Sequence, residues 1–398
     1  MERSGRYKKK EGITMIIQST MVYYEEKLQP KQIRIVKDRI EGVYPYGLFK
    51  ADKDYGDLLI LPGLCDVHNH GYNGHEANTA TKKWLDEWTS YLPTEGVTST
   101  LPSISSFPKE GLLKALKNIG EYIDKYNKKG THLLGVYEEG PFICSGKERG
   151  AQSLDFQIIP TKKVIDEFND ACNGHLLYVM IAPEMLKGDY RVIDYCVSKG
   201  MKVALGHTGA SFDICKEAIG HGAISFTHTY NGMRGLHHRE PGVVGAAMYF
   251  DECYAECICD GIHVNKIAAN ILAKAKGKDK FILITDSVSI KGFKPGIYGD
   301  AEKGRTTTVT AEGVGYLTGT NTLAGSCHRL NHILDYAIHE ANIDTVTAIN
   351  AVTINPMKML GINDRGLIKE GYKADIAVFD EEFNNIDTYI DGKIFERK

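Results

Sequence analysis

The sequence predicts an α/β protein, a (β/α)8 TIM-like barrel carrying a small discontinuous β-sandwich domain built from both termini. Three observations predict it. Eight apolar runs of strand length recur through the middle of the chain, separated by stretches of helical period. Both ends instead alternate β-branched and aromatic residues with polar ones, and neither end is long enough to make a stable sheet alone. The length, 398 residues, suits a barrel of about 250 residues plus a smaller module. An open doubly wound sheet is the competing topology.

Residues 1–61 form the N-terminal β segment. Within it MIIQSTMVYY, KQIRIVKDRIEGVYP and DLLILPG read as strands. The basic head, MERSGRYKKKEG, lacks the apolar segment of a secretory leader. It reads as a disordered tail over 1–14, a remnant of cloning or an upstream start ahead of Met15. Residues 62–356 form the barrel. Its strand runs are LLILPGLCDV (which begins inside the preceding segment), GVTSTLPS, HLLGVYEE, LLYVMIAPE, KVALGHT, AISFTHT, YAECICD and FILITD. Between them KEGLLKALKNIGEYIDKY and SFDICKEAIGHG carry helical spacing. Strands that alternate with helices imply parallel βα units, and eight such units imply closure. Residues 357–398 complete the small domain with GLIKEG, ADIAVFD and IDTYIDGKIFE, where Asp391-Gly392 signals a hairpin.

The apolar fraction, 42%, is enough for a large core, and the charged fraction, 25%, is ordinary. A net charge of −3 provides no basic excess to replace counterions, which argues against nucleic acid as a bulk partner. No apolar run approaches the ~18 residues that span a bilayer. The nine scattered cysteines read as buried thiols of a cytoplasmic protein. Cys253, Cys257 and Cys259 lack a fourth ligand at zinc-finger spacing and sit in a strand-like run, so they read as core.

The chemistry lies where the runs end. Their C-terminal edges carry His68 and His70, Glu139, Glu184, His207, His228, Asp260 with His263, and Asp286. In a barrel these edges converge on the face where active sites are built. His68 and His70, at i and i+2 of a strand, point to one side. Glu138 points away from Glu139. Glu139, His207 and His228 make a His₂-carboxylate set for a catalytic divalent ion, and His68 with His70 can complete a second site. Asp286 is placed to move protons beside a polarised water. Each residue also has a plainer reading, as a satisfied core histidine, a solvated carboxylate or a helix cap.

In these motifs the sequence resembles the N-acetylglucosamine-6-phosphate deacetylases of the metal-dependent amidohydrolase superfamily. PGLCDVHNHG, YEEGPF, GHTGAS, THTYNGM, REPG, DGIHV, LITD and LAGS occur in that family's order, over roughly Met15 to Lys398. The resemblance implies metal ligands at Glu139, His207 and His228, second-metal ligands at His68 and His70, and a catalytic acid/base at Asp286. It implies one or two divalent ions per subunit, zinc or iron. It implies substrate contacts at Ala151, Asn231, Gly232, Arg239, His263, Leu323, Ala324 and Gly325, with Arg239 and His263 on the phosphate. Gln152 stands where some members have His, which leaves its role open. The implied partner is a phosphorylated amino sugar, with no nucleic acid and no membrane, and the implied assembly is a homodimer. The implied reaction releases acetate and glucosamine 6-phosphate. The alternatives are the galactosamine epimer as substrate, hydrolysis of a cyclic amide or dipeptide, and a non-catalytic scaffold.

Overall fold

The structure, a computed structural model, describes residues 14–397 apart from 128–129, 301–304, 312–313 and 321–322. The expectation of disorder over 1–14 lies outside the described residues, save Thr14, which opens the first strand.

Eight parallel strands make the barrel: Leu64–Asn69, Val97–Ile104, Val136–Glu138, Leu176–Ile181, Lys202–Leu205, Ala223–Phe226, Tyr254–Cys257 and Phe281–Leu283. Six fall inside their runs, and Leu64–Asn69 and Val97–Ile104 continue past the ends of theirs by two residues and one. The ring is closed by a bridge between Asn69 and Ser287. There the Asp286 N–H donates to the His68 carbonyl at 2.9 Å, and the His70 N–H donates to the Ser287 carbonyl at 2.8 Å. Closure therefore brings the first and last strand ends, with their candidate residues, into direct contact.

Helices follow the strands, among them Lys82–Tyr91, Lys109–Lys125, Lys162–Ala171, Phe212–Gly220 and Lys266–Lys280. Side-chain oxygens of Thr81, Thr161 and Ser211 cap three of them by accepting from N–H groups that have no partner within their helix. The outer faces of the strands pack against these helices as one large apolar cluster. The lumen holds a second cluster that includes Tyr137, Tyr178 and Met180. Alternation along a strand decides the side, so Tyr137 points in while its neighbour Val136 points out.

Strands from both ends of the chain pair in one sheet. Its order is Lys393–Ile394, Asn385–Ile390, Ile376–Phe379, Leu59–Pro62, Thr14–Tyr24, Lys27–Val36 and Arg39–Pro45. Ile17, Ile33, Ile60, Ile376 and Val378 share its core. Asp391 and Gly392 hold φ of 48° and 74°, the left-handed pair that a two-residue hairpin turn requires.

Two readings need correction. The run LLILPGLCDV is two strands: Leu59–Pro62 joins the terminal sheet and Leu64–Asn69 the barrel. The chain changes sheets at Gly63, where a Cβ would meet the Thr98 side chain at 2.2 Å. GLIKEG forms no strand. Gly366 and Gly371 both sit at φ 83°, which breaks extended backbone, while Ile368 between them is buried in the terminal core.

A four-stranded antiparallel sheet, Gly296–Asp300, Arg305–Val309, Val314–Leu317 and Leu323–Ser326, follows the last barrel strand. Only its final strand, through LAGS, was singled out by the sequence. All nine cysteines are free and eight are buried. Burial pushes the Cys253 thiol up to about 12, which makes it unreactive. Among the described residues no helix is long and apolar enough to cross a membrane.

Candidate metal and active site

A cavity of about 660 Å³ opens at the C-terminal ends of the barrel strands. His70, Glu139, His207, His228 and Asp286 form its floor, and His68 is fully buried beside them. Residues from five different strand ends thus meet, as barrel closure requires. Three of them, His207, His228 and Asp286, adopt left-handed backbone at φ 42°, 32° and 47°. Such conformations cost about 1–3 kcal/mol each and cluster at functional sites.

The histidine rings are turned by their Nδ1 atoms. His70 Nδ1 lies 2.8 Å from the Ser103 carbonyl, His207 Nδ1 3.1 Å from that of Glu148, and His228 Nδ1 3.0 Å from that of Asn231. His68 Nδ1 lies 3.1 Å from Glu256 Oε2. Carbonyls and carboxylates only accept, so Nδ1 carries a proton in each ring and Nε2 faces the centre, where it can ligate an ion in the neutral ring. There His207 and His228 Nε2 are 3.1 Å apart, and so are His68 and His70 Nε2. Glu139 Oε1 lies 3.0 Å from His207 Nε2 and 2.9 Å from His228 Nε2, while its Oε2 lies 3.3 Å from His70 Nε2. Ligand atoms ~2.0–2.1 Å from a tetrahedral ion are about 3.3–3.4 Å apart, so this donor set fits a metal. The donors fall into two groups, Glu139/His207/His228 and His68/His70/Glu139, joined at Glu139.

Asp286 Oδ1 lies 3.4 Å from His68 Nε2 and 3.3 Å from His70 Nε2. Burial opposes its charge, but His68 and His70 outweigh that and hold its pKa at about 2. Burial likewise opposes charge on His228, and Glu139 more than offsets it, raising the pKa to about 9. Among the described residues that line the cavity there is no Lys or Arg. Glu139, Asp286 and Glu256 therefore surround four imidazoles without a resident side-chain cation.

Ala151, Asn231, Gly232, His263, Leu323 and Gly325 also line the cavity. The buried Asn231 Nδ2 has no hydrogen-bond partner among the described residues. His263 Nδ1 sits 2.7 Å from Asp260 Oδ2, and its Nε2 is buried and unpaired. Asp260 is held below the usual carboxylate range because His263 outweighs the effect of burial. Arg239 is not among the described lining residues and is exposed, with its Nη1 3.0 Å from His238 Nε2, while the side chain of Ala324 lies outside what the structure describes. Glu184 accepts from Thr208 Oγ1 and from the Gly209 N–H, so it steadies the turn after His207. Gln152 Nε2 donates to Glu139 Oε2 at 3.0 Å, and its Oε1 accepts from the Ser106 N–H and hydroxyl. Its amide is thus committed to Glu139.

Sequence reasoning missed Glu256, Glu76 and the wall made by Thr306, Thr307, Thr318 and Thr320. Glu256 had a signal, as a lone acid inside an otherwise apolar strand. The threonine wall had none, because its strands carry no apolar run.

The chain belongs to the amidohydrolase family, whose sequence pattern matches residues 59–395. Within that family its relatives are specific. It is 34% identical over 341 residues to N-acetylglucosamine-6-phosphate deacetylase of Bacillus subtilis (strain 168), covering 85% of each chain. It is 28% identical over 384 residues to N-acetylgalactosamine-6-phosphate deacetylase of Escherichia coli O157:H7, covering 96% of this chain and 99% of that one. The solved N-acetyl-D-glucosamine-6-phosphate deacetylase of Mycobacterium smegmatis, in complex with N-acetyl-D-glucosamine-6-phosphate, superposes with a TM-score of 0.89. That match has 26% identity and covers 96% of this chain and 100% of that one.

Proposed function

We propose that this chain hydrolyses the acetamide of N-acetylglucosamine 6-phosphate to acetate and glucosamine 6-phosphate, in amino-sugar catabolism in the cytoplasm. The observation that carries the reading is the pair of donor groups joined at Glu139, with Asp286 beside them, on the floor of an open cavity.

Glu139, His207 and His228 would hold one divalent ion, and His68 with His70 a second. Zinc and iron both suit imidazole and carboxylate donors. When bound, such ions supply acidified water and stabilise developing negative charge. Asp286 accepts the proton of the attacking water and returns it to the departing nitrogen. Its Oδ1 lies 3.4 Å from His68 Nε2 and 3.3 Å from His70 Nε2, within reach of a water held among these donors. Gln152 keeps Glu139 from rotating. Asn231 Nδ2 is a free donor for a sugar oxygen, and Ala151, Gly232 and the Leu323–Gly325 backbone shape the walls. His263, held through its Nδ1 by Asp260, faces the phosphate.

A dianionic phosphate needs further cations, and the described residues of this chain's cavity lining include no Lys or Arg. The assembly we favour is a homodimer, in which substrate contacts are shared and Arg239 is used. Leu236 (58% exposed) and the Ile267/Ile271 pair (63% and 50%), one turn apart on a helix, offer apolar surface for it.

The test is acetate release from N-acetylglucosamine 6-phosphate, with N-acetylgalactosamine 6-phosphate and unphosphorylated N-acetylglucosamine in parallel, alongside elemental analysis. Fast turnover of the first substrate by metal-containing protein is expected. Preference for the galactosamine epimer would shift the substrate assignment, and no acetate from any of them would overturn the reading.

A further inference from the structure

Three of the four central imidazoles are oriented by backbone carbonyls, which the fold itself holds in place. His68 alone depends on a side chain. Glu256, on the seventh barrel strand, points into the lumen and is fully buried. Its Oε2 lies 3.1 Å from His68 Nδ1 and accepts from the His228 backbone N–H, also at 3.1 Å. Its Oε1 accepts from the Tyr178 hydroxyl at 2.8 Å. One carboxylate thus turns the ring of a residue in one donor group and pins the backbone of a residue in the other. His228 needs that anchor, because its backbone is left-handed at φ 32°.

We infer that Glu256 is a positioning residue for metal uptake, setting the affinity of the His68/His70 position while leaving that of the Glu139/His207/His228 position largely alone. A carboxylate behind a ligating imidazole fixes its tautomer and raises its basicity, and losing such a partner typically costs about 10–100-fold in metal affinity. At the other position both rings are turned by backbone carbonyls, so the charge of Glu256 does not act through their Nδ1 atoms. The inference rests on the two-ion reading above.

Glu256→Gln is nearly isosteric. Its carbonyl can still accept from His68 and His228, and its amide can donate to the Tyr178 hydroxyl oxygen. What it removes is the charge. If the amide turns the other way, the His68 tautomer inverts and its Nε2 lone pair is lost to the ion. That turn also sets the amide NH₂ against the His228 N–H, donor against donor, so the first orientation is favoured.

The experiment is a stepwise Co²⁺ titration of metal-stripped protein, followed by visible absorption and by metal analysis after desalting. The wild type takes up two ions. E256Q takes the first with wild-type spectrum and affinity within a few-fold, and the second about 10–100-fold more weakly. Its metal-free melting temperature stays close to that of the metal-free wild type. Tyr178→Phe, which keeps the charge, retains the second ion. Should E256Q not fold, Glu256→Asp withdraws the one oxygen that serves both His68 Nδ1 and the His228 N–H, and the second ion must still be weakened more than the first. E256Q binding both ions like the wild type overturns the inference, as does equal weakening of both positions, which would mark a merely structural role. A wild type that takes up fewer than two ions instead overturns the two-ion reading.

Discussion

The molecule holds two His/carboxylate clusters at opposite ends of its barrel, and only one of them suits a metal. At the upper end stand His68, His70, Glu139, His207, His228 and Asp286. At the lower end, where the terminal sheet meets the third strand, His132, Asp375 and Asp391 also lie close enough to share an ion. The difference is what else is there. Arg365 pairs with Asp375, Lys373 Nζ lies 3.2 Å from Asp391 Oδ1, and His132 Nε2 lies 3.0 Å from Asp391 Oδ2. The lower carboxylates already have their cations. Among the described residues the upper ones have only imidazoles, whose Nε2 atoms face each other at 3.1 Å. Donor proximity alone therefore does not define a metal site, and local charge balance separates the two.

Four experiments would break or sharpen this contrast. The largest effect is expected from Asp286→Asn. Steady-state turnover should fall roughly 10²–10⁴-fold, the usual worth of a proton-transfer group, while elemental analysis finds wild-type metal content. Retained activity in metal-replete protein would remove Asp286 from its role.

The second exchanges the two ends. His207→Ala should lose the ion held with Glu139 and His228, whereas His132→Ala should keep every ion. The lower variant should instead lose about 1–2 kcal/mol of stability in urea unfolding, less than a fully buried pair would cost because Asp391 is about a third exposed. Metal loss in His132→Ala would erase the distinction between the ends.

The third uses pH. Burial alone would raise the Asp391 pKa, but His132, Arg365 and Lys373 reverse this and hold it well below the usual carboxylate range. A depressed carboxylate contributes stability that is complete above its unfolded value of ~3.9 and fades as pH falls toward the folded value. Unfolding midpoints should therefore drop below about pH 4, and Asp391→Asn should flatten that limb. An unchanged acid limb in the variant would assign the loss to other groups.

The smallest effect concerns Glu138. It is fully buried on the outer side of the strand that presents Glu139, and neither carboxylate oxygen has a hydrogen-bond partner among the described residues. Burial, reinforced by Glu139, pushes its pKa well above the usual range. Replacing an unpartnered polar group by an apolar one of similar size should stabilise, so Glu138→Leu should gain about 1 kcal/mol in thermal melts. A destabilised variant would reveal a partner for that carboxyl.

Much of the upper end was legible before any coordinates. The eight apolar runs were long enough to mark the barrel strands, and reading each to its last residue found His68, His70, Glu139, His207, His228 and Asp286. Glu256 escaped because it sits inside its strand rather than at the end, where an isolated acid looks like an irregularity of the run. The boundary at Gly63 escaped because two strands of different sheets join there without a turn, so their apolar residues merge into one run. GLIKEG looked like a strand because periodicity says nothing about the left-handed glycines at each end.

What the sequence by itself determined was the order of strands and helices and the identity of the residues that end the strands, because both follow from local alternation and turn chemistry. What only the tertiary structure decided was which of those residues meet, which ring nitrogen faces inward and where charge is already balanced. Those properties arise between residues far apart in the chain. They include the left-handed backbone of His207, His228 and Asp286, the reach of Glu256 to His68, and the presence of Arg365 and Lys373 at one histidine cluster but not the other.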